Sequence, residues 1–343
     1  MLSRGCSHRT SADAELVRWA SPFARAEGRL LPDRSVEVVL VREGPSAGRK
    51  RVRVGGVPRR ATALPAVLRS VVFAPEDMLL VVGPPGLRRA ALDTLAAQRH
   101  PAYAGDLATY GRTLAQRNAL LRAIREEQAR RDALPPWDVA LLDSGAAVLV
   151  ARAEVLAELA APLAAAHAEI APGEGGLGVT YESNAGPLPG EGPREALARR
   201  LGETAEKEIW SGSTLVGPHR DDLAFRLDGR EFAGFASRGQ QRTAILAWKL
   251  AELDLLTAVD GRPPLLLLDD VFSELDPARR AHLVRRIAAL PQAFVTTTTL
   301  ADLDPELRAR AAAWEVVPDE GAGARLLGPA PAAAGSDAPR GMR

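Results

Sequence analysis

Two adjacent carboxylates, Asp269 and Asp270, follow four consecutive leucines, Leu265–Leu268, in a chain of 343 residues. Such an apolar run suits a strand buried under helices on both faces, and it delivers its acids to the strand's carboxyl end, where open α/β sheets build their sites. There Asp269 can hold Mg²⁺ directly or through water. Asp270, one residue on and facing elsewhere, can orient or deprotonate a water for attack on a phosphate. The dipeptide alone could equally open a turn. About one helix-length upstream stands Ser237-Arg238-Gly239-Gln240-Gln241-Arg242, ahead of an amphipathic run with Ile245, Trp248, Leu253 and Leu256 toward the core. Backbone N–H groups at a helix start can bind an anion, with the helix dipole behind them. Taken singly, the hexapeptide reads as routine capping by Ser237; the acidic strand that follows shifts the reading toward a phosphate.

The surrounding elements must place these groups. Asp276-Pro277 is a helix start, an N-cap aspartate with proline at the first helical position. Leu283, Val284, Ile287 and Leu290 supply an apolar face, and Ala293–Thr297 reads as the next strand, so that the whole predicts a right-handed βαβ unit. Near residues 23–60, Val36–Val41 and Arg51–Val54 alternate before the Gly55-Gly56 turn, which predicts a β-meander. Ser70–Phe73 reads as a short strand, and Pro75-Glu76-Asp77 begins a polar loop. From about 86 to 170 the period is helical. Leu107, Leu114 and Leu121 recur every seven residues, as do Leu142, Leu149, Leu156 and Leu163, with Pro135-Pro136 between the two stripes. Two helices folded back on each other are expected, the stripes being core and Arg125, Arg130 and Arg131 a solvated face. Residues 171–193, rich in glycine and proline, read as a linker or loop. Residues 194–328 return to alternating strand and helix, with Leu223–Leu227 closed into a hairpin at Asp228-Gly229. The stretch beyond Gly328 is of low complexity and is expected to be disordered.

Composition excludes some classes. With 46% hydrophobic and 25% charged residues the chain suits one large soluble domain or two. No run approaches the roughly 18 apolar residues of a membrane span, and Met1–His8 has no apolar core of the kind a secretory leader carries. A lone cysteine, Cys6, forms no intramolecular disulfide and suits a reducing cytoplasm. The net charge is +1, so a nucleic-acid partner has to be held by local patches. Arg49-Lys50-Arg51, Arg53, Arg59 and Arg60 form the densest one, which is as consistent with a plain charged hairpin as with DNA contact. His219 beside Asp221 and Asp222 is read as a hydrogen-bonded turn histidine in preference to a metal ligand.

At this point the residues carry a resemblance. Ser237–Arg242 resembles the signature loop of ABC-type ATPases, Leu265–Asp270 their Walker B strand, and Ser273-Glu274-Leu275-Asp276 their D-loop. The narrower similarity is to the RecF family of bacterial recombination and repair ATPases. It is carried by Gly217-Pro218-His219-Arg220-Asp221-Asp222-Leu223, Phe235–Thr243, Phe73-Ala74-Pro75-Glu76-Asp77, Gln116-Arg117-Asn118, and His8-Arg9-Thr10 followed by Asp13–Leu16. It runs from about residue 7 to about 328. The resemblance implies an α/β ATPase head of the ABC/SMC type, with an antiparallel β-meander and a helical arm. Residues 1–85 would belong to an N-terminal lobe, 86–193 to the arm and linker, 194–328 to the C-terminal lobe and 329–343 to a tail. It implies ATP and Mg²⁺ as cofactors and an ATP-dependent homodimer. The DNA partner would be a gap or a single-strand/double-strand junction, with mediator proteins of the RecO/RecR kind placing recombinase there. By the same token Asp270 takes the catalytic role and Asp269 the metal. Ser237, Arg238, Gly239, Gln240, Gln241 and Asp276 contact nucleotide, and Thr296–Thr299 stands where many ABC proteins place a phosphate-sensing histidine.

One motif is not found. A phosphate-binding loop needs G-x-x-x-x-G-K-[ST] between a strand and a helix. Gly44-Pro45-Ser46-Ala47-Gly48-Arg49-Lys50 has its glycines one residue too close, carries an arginine before the lysine and joins two strands; Gly83-Pro84-Pro85-Gly86 has no lysine. In the resembling family the loop precedes the segment matching His8-Arg9-Thr10, so the reading expects this sequence to begin after it, through a misplaced start or a genuine short form. Residues 1–343 are therefore expected to bind ATP poorly, and Leu265–Leu268 to lose a neighbouring strand and expose an apolar edge. Three functions follow: a repair ATPase, a nucleotide-independent DNA- or partner-binding module on the same fold, and a nuclease with Asp221, Asp222, Asp269 and Asp270 as a two-metal site. The last leaves the Ser237–Arg242 loop unexplained.

Overall fold

Strand β1 (Phe23–Leu30), β2 (Arg34–Arg42), β3 (Gly48–Val54) and β4 (Val57–Arg59) form an antiparallel meander in that order. The computed structural model describes residues 1–7, 10, 12–19, 21–43, 48–319 and 323–328. The expectations placed on His8-Arg9, on Gly44–Ala47 and on the tail from 329 lie outside the described residues. Strict alternation makes the meander: Val36, Val38 and Leu40 are buried on one face of β2 together with Val52 of β3. Gly55 and Gly56 turn the chain between β3 and β4 with φ of 57° and 78°, both in the left-handed region that a tight hairpin requires. Val17 and Leu64 cover this small core.

The chain continues through α1 (Leu64–Val67), β5 (Ser70–Phe73), α2 (Pro85–Arg99), α3 (Tyr103–Arg125), α4 (Pro135–Ile170), β6 (Leu177–Glu182) and α5 (Pro193–Ser211). It then forms β7 (Asp222–Leu227), β8 (Arg230–Glu231), α6 (Arg238–Ala258), β9 (Leu265–Asp269), α7 (Pro277–Ala288), β10 (Ala293–Thr296), α8 (Pro305–Arg310), β11 (Glu315–Asp319) and β12 (Gly323–Leu327). β5, β9 and β10 make a parallel sheet in the order β10-β9-β5, with Phe73 opposite Leu268 and Thr296 opposite Asp269. β9, α7 and β10 thus form a strand–helix–strand crossover.

Two expectations about the leucine strand are corrected. Leu266 and Leu268 are buried but Leu265 and Leu267 only partly so, which leaves one face of the sheet incompletely covered. Nor is Leu265–Leu268 an edge. It lies between two parallel partners, one of them β5, nearly two hundred residues earlier; among the described residues the free edges belong to β10, where Phe294 is half exposed, and to β5.

The helical stretch holds three helices where two are expected, because α2 precedes the packed pair α3 and α4. Tyr110, Leu121, Ile124, Leu149, Leu156 and Leu163 are buried as the stripes predict. Arg130 and Arg131 are exposed and paired with Asp132 and Glu206, and Arg125 reaches Glu126 and the Ser211 carbonyl. Residues 171–193 are not all loop, since β6 pairs antiparallel with β7. Among the described residues no helix is long and apolar enough to cross a membrane.

Candidate functional site

Asp269 ends β9 level with Thr296 of β10, and the Thr296 hydroxyl donates to Asp269 Oδ1 at 2.6 Å. Asp270 turns out of the sheet with φ 52° and ψ 30°, a left-handed conformation that aspartate tolerates better than most residues but at a cost. Its N–H donates to the Thr296 carbonyl at 3.1 Å and lies 3.2 Å from the Thr296 hydroxyl, so the neighbouring strand fixes the twist. Its Oδ1 is buried with no hydrogen-bond partner among the described residues. A buried carboxylate oxygen left without a donor is costly unless something else comes to it. Ser273 Oγ donates to the Asp270 carbonyl at 2.8 Å and closes the turn.

The loop before α6 carries both readings made of it. Ser237 is the N-cap: its Oγ accepts from Gln240 N–H at 3.2 Å, and Gln240 Oε1 accepts from Ser237 N–H at 3.0 Å, a reciprocal capping box. Gln241 Nε2 donates to the Ala236 carbonyl. Ser237 and Arg238 are exposed, and Gly239, which has no side chain to stand in the way, lies in the first turn, whose leading N–H groups have no partner within a helix. The box satisfies only part of that donor set, so capping and anion binding are compatible here.

Asp276 caps α7 by accepting from Arg279 N–H at 3.0 Å. Burial works against its ionisation, yet that N–H and the Arg279 guanidinium hold it below the usual carboxylate range. Arg279 is the residue the sequence reading missed. Its guanidinium is ion-paired with Asp276 and donates to the Gly239 carbonyl at 3.0 Å and from Nε to Thr243 Oγ1 at 2.8 Å. A second strut joins Arg242 to Glu274 at 3.1 Å. The starts of α6 and α7 are therefore clamped together. An arginine three residues after a capping aspartate is the sequence signal that could have raised it.

The Pro75-Glu76-Asp77 loop is tied to α6 from below. Asp77 accepts from Ala74 N–H at 2.8 Å and pairs with Lys249 at 2.9 Å. Lys249 lies 3.8 Å from Glu252, whose carboxyl burial pushes upward.

The Gly217–Leu223 and Gln116–Asn118 motifs are held by internal contacts, some made by residues outside them. Arg152, buried on α4, pairs with Asp93 and donates to Tyr181, Tyr103 and the Pro218 carbonyl. Arg117 reaches Asp138, Glu208 and Thr214, and Asn118 Oδ1 accepts from Thr214. Asp222 pairs with Arg88 and Asp221 accepts from Tyr181 at 2.8 Å, so neither joins Asp269 and Asp270. Among the described residues no group of three or more His, Cys, Asp and Glu is placed to hold a metal. What Asp269 and Asp270 offer, oxygen donors with one oxygen unpartnered, fits Mg²⁺ arriving with a phosphate, because that ion keeps its own waters and needs few protein ligands.

His219 is a hydrogen-bonded turn residue. Its Nε2 meets the Thr214 carbonyl at 3.2 Å and its Nδ1 the Tyr110 hydroxyl at 2.6 Å, an arrangement that suits the neutral ring. Burial, with Arg220, Arg89 and Arg117 adding to it, lowers its pKa to about 4. The unfolded chain takes up this proton below its ordinary pKa of about 6.5 while the fold refuses it, so stability falls as pH drops from there toward 4 and levels off below. Chemical denaturation at pH 7 and 4.5 should show a loss about 2 kcal/mol larger in the parent than in His219→Gln. Equal losses would mean that the ring is not held neutral.

No protein-family model matches the chain. It is 36% identical over 324 residues to the DNA replication and repair protein RecF of Bacillus subtilis (strain 168), covering 92% of this chain and 86% of that one. It is 40% identical over 315 residues to the protein of the same name from Frankia alni (strain DSM 45986 / CECT 9034 / ACN14a), covering 88% and 82%. A solved structure described as the recombination mediator protein RecF-ATPrS in the RecFOR pathway matches with a TM-score of 0.80 at 31% identity, covering 88% of this chain and 82% of that one.

Proposed function

Because the chain belongs to the RecF family of DNA replication and repair proteins, we propose that it is a DNA-binding repair ATPase of the ABC type. In this reading it acts at gapped or junction DNA, with mediator proteins of the RecO/RecR kind, to help load recombinase. The observation that carries the ATPase part is Asp270, twisted into a left-handed conformation with a buried oxygen unpartnered at the end of the parallel sheet. The Asp270 carboxylate orients a water and takes its proton as the water attacks a terminal phosphate. Asp269, which accepts from the Thr296 hydroxyl, would hold the metal. Mg²⁺, when bound, neutralises charge developing on the phosphate oxygens. Ser237 and the N–H groups of Arg238 and Gly239 donate to a phosphate held by a second copy, and Arg279 keeps them in step with Asp276.

A nucleotide-independent DNA-binding module is the second reading, favoured by one fact: residues 1–343 contain no G-x-x-x-x-G-K-[ST] stretch. Calorimetric titration of residues 1–343 should accordingly show ATP binding that is weak or absent, and micromolar affinity would overturn that expectation. The DNA-repair reading is tested by comparing a gapped duplex with an intact one of the same length. Tighter binding to the gap supports it, and equal binding removes the junction preference.

A further inference from the structure

The basic cluster of the meander does not stay together in space. Register places Arg49, Arg51 and Arg53 on the outer face of β3, beside Val41, Val39 and Glu37 of β2. Lys50 points the other way and pairs with Asp13, while Arg59 lies opposite Val52 on the inner face. The same outer face gains Arg25 and Arg29 from β1, which lie far from the cluster in sequence. Five arginines against two glutamates, Glu27 and Glu37, leave this one face at +3, when the whole chain carries +1. The acids are already answered, since Glu37 pairs with Arg25 at 2.7 Å and lies 3.8 Å from Arg53, and Glu27 pairs with Arg25 at 2.8 Å. Arg49 and Arg51 are exposed and have no ion-pair partner among the described residues. Phe23, half exposed, occupies the same face in the row of Val41 and Arg49.

We propose that this outer face, through Arg49, Arg51 and Phe23, binds single-stranded nucleic acid. The proposal rests on the DNA-repair reading and gives it a surface. Alternate residues of β3 stand about 6.8 Å apart, so the two unpaired guanidiniums can follow successive phosphates of an extended strand. An unbroken antiparallel face offers a shallow platform, and an exposed ring beside cations supplies the stacking surface that single strands use and a paired duplex does not. Arg25 and Arg53, already neutralised by glutamate, add little, and Arg29 stands at the far end of β1 opposite Ser35, so the effect concentrates at Arg49 and Arg51.

Fluorescence anisotropy of residues 1–343 with a labelled single strand and with the matching blunt duplex, titrated across salt, tests this. The double substitution Arg49→Ser with Arg51→Ser should reduce the steepness of the single-strand salt dependence by about 1.4 and weaken binding roughly 25-fold at 0.1 M salt. Phe23→Ala should weaken single-strand binding about fivefold or more while leaving the salt slope unchanged. Arg59→Ser, on the other face, should change neither. A parent that binds DNA, with a double variant that matches its slope and affinity, overturns the platform and leaves the repair reading standing. A parent that binds no DNA overturns both. If the duplex is preferred and Phe23→Ala is silent, the single-strand assignment is wrong.

Discussion

Replacing Asp270 with asparagine should slow ATP hydrolysis roughly 10²- to 10⁴-fold, the span typical of a lost general base, in a form of this protein that binds ATP through a glycine–lysine phosphate loop. Nucleotide affinity should stay near the parental value. The carboxylate is not a structural tie: its Oδ1 has no donor among the described residues, and the strand end is held by the Asp270 N–H and the Thr296 groups, which asparagine retains. Asparagine also tolerates the left-handed backbone, so the fold has no reason to rearrange. A change in the chemical step with binding spared is the signature of an interaction made only in the transition state. Asp269→Asn should behave differently, raising the Mg²⁺ concentration needed for nucleotide binding, since in the proposed mechanism that carboxylate, which accepts from Thr296, is the one that would hold the metal. Single-turnover hydrolysis alongside equilibrium binding separates the two. An Asp270→Asn protein that hydrolyses ATP at the parental rate would remove the water-orienting role.

Leu265–Asp269, the Asp276-Pro277 helix start and the Asp228-Gly229 hairpin were legible because period and turn chemistry are local properties. The hairpin turn, with φ of 48° and 78°, is what Asp-Gly forecasts. The partners of β9 were not legible, because a parallel neighbour nearly two hundred residues away leaves no periodic trace. β6 was within reach: Leu177, Val179 and Tyr181 alternate with Gly178 and Thr180, but the glycines and prolines around them outweighed six residues of pattern. Along the chain Lys50 and Arg59 look like members of the basic cluster, whereas the pleat sends them to the opposite face from Arg49 and Arg51. Arg279 lay hidden for a related reason, since its role depends on two helix starts meeting.

That meeting of α6 and α7 underlies the assembly expected of this protein. Ser237→Arg should abolish ATP-dependent dimerisation in an ATP-binding form while leaving monomer folding and single-site nucleotide binding largely intact. Ser237 is exposed and its cap bonds face its own helix, so the N–H groups of the first turn look outward, where a nucleotide held by a second copy could meet them. The clamp through Arg279 and the Arg242–Glu274 pair makes this surface rigid with the loop bearing Asp276. In a two-fold interface each copy offers the same loop to the other, so one substitution is felt at both sites. Arginine would add bulk and a long charged side chain where a phosphate must come close to backbone. Capping alone forecasts something else: losing Ser237 as N-cap costs about 0.5–2 kcal/mol of stability and disturbs no specific assembly. Sedimentation with and without ATP, read beside a denaturation curve, distinguishes the outcomes. A variant that stays monomeric with ATP and unfolds close to the parent supports the phosphate contact. One that dimerises with ATP but unfolds early leaves Ser237 as a cap and removes the trans contact from the mechanism.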